Sequence, residues 1–172
     1  MSQGSNFFFL AVHDPVFHKL ALSAEQAFNS DPNITLIKLR QLGEALAQDL
    51  ASRAAIEFDA KTTQADLLYK LCREIQLDRN IVSLFHTLRI EGNKATHEFS
   101  TCHREALDGL KVARELCVWY YRAVGKADRT FKPGQFITPA DPSAPLRELQ
   151  SEIDQLKAQL RQTRFNEGVN GA

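Results

Sequence analysis

The chain has 172 residues, 44% of them hydrophobic, with 21 Lys and Arg balanced by 21 Asp and Glu. That is the size of one domain with an appendage, and enough apolar residue for a real core. Zero net charge argues against bulk adhesion to nucleic acid or an acidic membrane, though not against a local patch. The charge is uneven. Residues 1–60 carry four basic side chains (Lys19, Lys38, Arg40, Arg53) and seven acidic ones. Residues 101–135 carry seven basic ones (Arg104, Lys111, Arg114, Arg122, Lys126, Arg129, Lys132) and four acidic ones. Cys72, Cys102 and Cys117 are an odd set without CxxC spacing. They read as buried or free thiols of a reducing cytoplasm, neither a disulfide framework nor a zinc site. No run is long and apolar enough to span a bilayer. The stretch Phe7–Val12 is too short, and lacks the basic flank, for a secretory signal.

Five helices follow in chain order. Asp14-Pro15, an N-cap with proline at the first helical position, opens the first, with Phe17, Leu20, Ala21, Ala24, Ala27 and Phe28 on one face. Asp31-Pro32 repeats the device and opens the second, which presents Leu39, Leu42, Leu46 and Leu50; Arg40 can pair with Glu44 at i+4. Thr63 and Asp66 resemble a capping box before a third helix with Leu68, Leu71, Cys72 and Ile75. Asp78 caps the fourth, whose stripe Ile81, Leu84, Phe85 and Leu88 runs to an expected stop at Gly92. The fifth, from about Thr101 to Val124, ends before Gly125. No alternating strand pattern appears, so the expected fold class is all-α, a bundle over residues 6–125.

Residues 126–142 differ in kind. Pro133, Gly134, Pro139 and Pro142 break helices, which predicts an extended strap with Phe131, Phe136 and Ile137 packed back onto the bundle. Over residues 143–165, Leu146, Leu149, Ile153, Leu156 and Leu160 recur at a 3-4-3-4 spacing. That is the a/d seam of a coiled-coil-like helix, which needs a partner: a second copy, the bundle or another protein. Residues 166–172, rich in Asn and Gly, are expected to be a disordered tail.

Candidate chemistry gathers around the expected stop at Gly92. Arg89 sits where a helix C-terminus favours a cation, and Asn93 and His97 follow the glycine. Such a group can hold a phosphate through the guanidinium, with a histidine as acid or base. The plainer reading, which is preferred, has Arg89 and Asn93 tying down helix ends and His97 bonding backbone. His86, one turn before Arg89, reads as a partly buried helix histidine. Trp119, Tyr120 and Tyr121 lie near Arg114 and Arg122 and could stack bases, but helical spacing scatters the rings, so core packing is preferred. There is no phosphate-cradling GxxxxGK[ST] loop, no Gly-x-Ser-x-Gly elbow and no metal-ligand set.

Several of these residues together resemble a known family. Asp31-Pro32, Ile37-Lys38-Leu39-Arg40 with Glu44, Phe85-His86, Arg89, Gly92-Asn93, Ala95 and His97 are similar to a helical domain at the N-terminus of type I restriction endonuclease R subunits. Trp119-Tyr120, Lys132-Pro133-Gly134, Phe136 and Pro139 extend the resemblance, which runs over residues 6–142. The resemblance implies an N-terminal fragment or stand-alone relative of a cytoplasmic DNA translocase-endonuclease. ATP and Mg would belong to other domains of that protein and no cofactor to this chain. Its partners would be restriction-modification subunits or domains, with DNA as a candidate contact. This helical family is similar in turn to the HEPN group, which implies a five-helix HEPN-like bundle. The catalytic Arg and His of HEPN RNases would here be Arg89 and His97. Their seven intervening residues and the Ile90 after Arg89 depart from the signature, so no catalytic residue is expected.

Overall fold

Four of the helices begin where a short polar side chain takes the orphaned N–H groups of a first turn. Asp14 accepts from the Val16 amide at 2.7 Å, Asp31 from Asn33 at 3.1 Å, Thr63 from Asp66 at 3.1 Å and Asp78 from Asn80 at 2.8 Å. The computed structural model describes residues 4–98, 101–124, 127–140 and 144–170, the last with side chains for 145–165. Its elements are α1 (Leu10–His13), α2 (Pro15–Ala27), α3 (Pro32–Arg53), α4 (Gln64–Ile75), α5 (Arg79–His97), α6 (His103–Ala123) and α7 (Ala144–Asn170). The fold is all-α: no strand occurs among the described residues. None of the described helices is long and apolar enough to cross a membrane.

The chain divides into two compact units, Met1–Pro139 and Ala140–Ala172. In the first, α3 is the hub and packs against α2, α4, α5 and α6. Its leucines 36, 39, 42, 46 and 50 are buried. Leu71, Phe85, Leu88, Leu110 and Cys117 join them as the periodicity predicts, while Leu84 is only partly buried. Burial pushes the Cys117 thiol far above its ordinary pKa, so it behaves as a small core residue. The helix α1 was not expected. It forms because Phe7, Phe9 and Leu10 all insert into the core.

The largest departure concerns Gly92. It does not stop a helix: α5 runs through it to His97, and the Glu98 amide closes the last turn on the Lys94 carbonyl at 2.7 Å. Gly92 is the point where α5 crosses α3. A Cβ there would lie 2.4 Å from Arg40 Cβ and 3.0 Å from the Leu36 carbonyl oxygen. The missing side chain serves close helix approach, not a left-handed turn. Gly109 of α6 does the same against Leu36, where a Cβ would meet Cδ2 at 2.7 Å.

The strap is held by polar ties as well as by rings. Arg114 of α6 donates to the carbonyls of Asn6 (3.3 Å), Gly134 (2.8 Å) and Pro133. Asn6 exchanges two hydrogen bonds with the Ile137 backbone, at 2.7 and 2.8 Å, and donates to the buried Glu25 carboxylate at 2.8 Å. Phe131 packs on Phe9 and Tyr121, and Phe136 is partly buried. Ile137, expected to pack inward, is instead 45% exposed, because its backbone rather than its side chain is the attachment.

In the second unit, α7 carries Leu146, Leu149, Ile153, Leu156 and Leu160, all exposed. Its backbone stays helical to Asn170, past the expected end at 165, since adding a residue to an existing helix costs little. The boundaries expected at Gly125, Lys126 and Pro142, and the tail residues Gly171 and Ala172, lie outside the described residues.

Candidate functional site

The four residues singled out from sequence share one face of α5. Spaced 86, 89, 93 and 97, they fall within about 80° of one another at 100° per residue. Arg89 therefore occupies a helix middle, and the helix-end role expected of it does not apply. Its Nε lies 3.3 Å from His86 Nδ1, one turn back. Burial, with the Arg89 charge second, holds His86 below the ordinary histidine pKa, which favours the neutral ring that can accept this bond. Asn93 is engaged across the crossing: Arg40 of α3 donates to its Oδ1 at 3.0 Å, while Arg40 Nε lies 3.6 Å from Glu44. His97 is exposed. It stands about 12 Å along the helix from Arg89, which turns toward His86 instead. The structure thus brings His86 to Arg89, and Asn93 to Arg40. It does not bring Arg89 to His97.

A second candidate lies on α6. Lys111, Arg114, Glu115, Val118, Trp119 and Arg122 recur at helical spacing along one face. With Ile81 of α5 and Pro133 and Phe136 of the strap, they line an open groove of about 680 Å³. Three cations face one carboxylate there. Lys111 Nζ lies 5.9 Å from the Phe136 ring centroid and Arg122 lies 5.7 Å from that of Phe131. The aromatic triplet is split by the helix: Tyr120 is buried, Tyr121 packs on Phe9 and Phe131, and Trp119 alone lines the groove.

The profile of the family described as Domain of unknown function (DUF4145) matches residues 23–133. The chain belongs to this family. The DUF4145 match takes in the whole α5 face and the α6 side of the groove, and stops at Pro133. The Type I restriction enzyme EcoKI endonuclease subunit of Escherichia coli (strain K12) is 39% identical over 139 residues. That alignment covers 81% of this chain but 12% of the longer protein, so the chain spans a small part of its relative. No solved structure matches the chain.

One polar network of this DUF4145 chain escaped the sequence reading. Tyr120 donates to Asp49 Oδ2, Arg53 Nε donates to the same oxygen at 2.6 Å, and His13 Nε2 lies 3.0 Å from the Tyr120 hydroxyl. Because the tyrosine proton goes to the carboxylate, the His13 Nε2 must carry the proton of that bond. Burial, then the bond to Asp49, pushes the Tyr120 phenol well above its ordinary pKa. Burial pushes Asp49 up as well, but the hydrogen bonds from Tyr120 and Arg53 outweigh it and hold Asp49 below the usual carboxylate range. The network joins α1, α3 and α6, which is the work of a structural tie. The i,i+4 pair Asp49 and Arg53 was its one local signal.

Proposed function

We propose that this chain is the N-terminal accessory helical domain of a type I restriction enzyme R subunit, docking onto partner subunits or onto the nuclease and motor domains of its own protein. The observation that carries this reading is the 39% identity over 81% of the chain to a type I restriction endonuclease subunit. The absence of a phosphate-cradling loop from the sequence agrees with it, since ATP and Mg would act in other domains. The pairing of Arg89 with His86 and of Asn93 with Arg40 also supports a scaffold role for α5. The seam of α7 supplies a docking surface of its own. Leu146, Ile153 and Leu160 fall at a positions and Leu149 and Leu156 at d. In a parallel pair, Glu152 at g of one copy meets Lys157 at e of the next heptad of the other.

Co-purification of the chain with the modification and specificity subunits, and with the rest of the R subunit, tests docking. A stable complex is expected. Light scattering on the full chain and on a Leu149→Asp/Leu156→Asp variant tests the seam. A dimer that becomes a monomer is expected, and equal masses refute self-association. The second reading is a HEPN-like RNase using Arg89 and His97, which share a helix face about 12 Å apart. RNA cleavage abolished by both Arg89→Ala and His97→Ala, together with failure to co-purify, would replace the first reading with it.

A further inference from the structure

We infer that the groove between α6 and the strap binds a single strand of DNA, with an unstacked base against Trp119 and phosphates on Lys111 and Arg122. The choice of DNA rests on the proposed function; the site itself rests on the geometry. The basic excess of residues 101–135 is hidden in a chain of zero net charge, and part of it converges here, three cations to one carboxylate.

The cations have different roles. Arg114 is engaged by three backbone carbonyls and shapes the groove by fixing the strap. Lys111 and Arg122 take part in none of the ion pairs of the described residues. The rings of Phe136 and Phe131 beside them restrict where their charges lie without neutralising them. They are separated by about 16 Å along α6, so one phosphate cannot satisfy both and an extended polyanion can. Between them, beside Arg114 and Glu115, the lining includes the apolar Ile81, Val118, Pro133 and the indole of Trp119. These apolar residues suit a planar, weakly hydrated group between successive negative charges, and a nucleic-acid strand has this alternation. In a duplex the base faces are stacked on one another, so a single strand is required.

Trp119 is the sole tryptophan, so the chain's own fluorescence reports on the groove. The intact protein is titrated with a short oligothymidylate at several salt concentrations. Saturable quenching is expected, with a log–log salt slope of about −1.4 for two phosphates. Lys111→Gln and Arg122→Gln should each reduce the slope by about 0.7 and weaken binding about fivefold near 0.1 M salt. Glu115→Gln should tighten it. Both cations sit at exposed positions, and unchanged thermal melting of the variants confirms that they fold. Absent quenching, or quenching untouched in the Lys111→Gln/Arg122→Gln double variant, overturns the inference. Equal affinity for duplex DNA removes the base contact, and tighter binding of a polyglutamate peptide reassigns the groove to an acidic protein. Tighter binding of oligouridylate than of oligothymidylate keeps the strand site but moves it to RNA. None of these results affects co-purification with restriction subunits, so the groove and the docking reading fail separately.

Discussion

The neighbouring helices α5 and α6 both cross α3 over a glycine, and both carry a row of polar side chains on a second face, yet the two rows differ in state. On α5 three of the four have protein partners, Arg89 and His86 each other and Asn93 the α3 residue Arg40, while His97 is exposed. On α6 the row faces an open groove, and its two outer cations keep their charge toward solvent. The contrast lies between Arg89, His86 and Asn93, which have hydrogen-bond partners, and Lys111 and Arg122, which have ring contacts. A side chain whose donors already have protein acceptors must give up those bonds to meet a ligand. One held only by a ring contact gives up much less. Partner status, not residue type, separates a scaffold face from a binding face.

The crossing itself is the most sensitive point. Gly92→Ala should destabilise the fold by about 2 kcal/mol, because Arg40 Cβ and the Leu36 carbonyl cannot swing away and the helices must separate. Gly109→Ala should cost less, about 1 kcal/mol, since the atom in the way is the end of the Leu36 side chain. Melting temperatures for the pair check the order. Equal losses would mean that the α5 crossing is no tighter than that of α6.

The next effect comes from the tie of Asp49 to Tyr120 and Arg53. Asp49→Asn should lower stability at neutral pH by about 1–2 kcal/mol. The folded-state pKa of Asp49 is depressed, so its contribution is present above its unfolded pKa and is lost as pH falls toward the lower folded value. Denaturant melts below about pH 4 should therefore show wild type and Asp49→Asn converging. A gap that stays constant with pH would remove Asp49 from the acid response.

Arg89→Ala should change stability by no more than about 0.5 kcal/mol, because the residue is half-buried and its bond to His86 is long. The same substitution should raise the His86 pKa toward its ordinary value, as one of its two depressing influences is gone. Proton NMR titration of the histidines reads this directly, and an unmoved His86 would contradict the coupling. No loss is expected at Gly43, where a Cβ meets Leu88 at an ordinary 3.5 Å. Gly43→Ala should be neutral or stabilising by about 0.5–1 kcal/mol through helix propensity. A large loss there would mean that all helix contacts to α3 are equally tight.

What was readable in the chain is what is decided within a few residues. The caps at Asp14, Asp31, Thr63 and Asp78, and the leucine rows of α3, depend on neighbours three or four positions away, and they stand where the sequence puts them. Gly92 was misread because a glycine near the end of an apolar stripe has the same local signature whether it closes a helix or lets another helix pass. Only the packing of α3 distinguishes the two. The roles of Asn93, Asp49 and Arg114 were hidden for a related reason. Their partners lie at Arg40, Tyr120 and the backbone of Asn6 and residues 133–134, between 19 and 108 positions away. Local sequence determined which segments are helical and which sides are apolar, because those choices follow from periodicity and capping. Tertiary structure decided which polar groups find partners and which remain open to a ligand, because that depends on chain segments that only folding brings together.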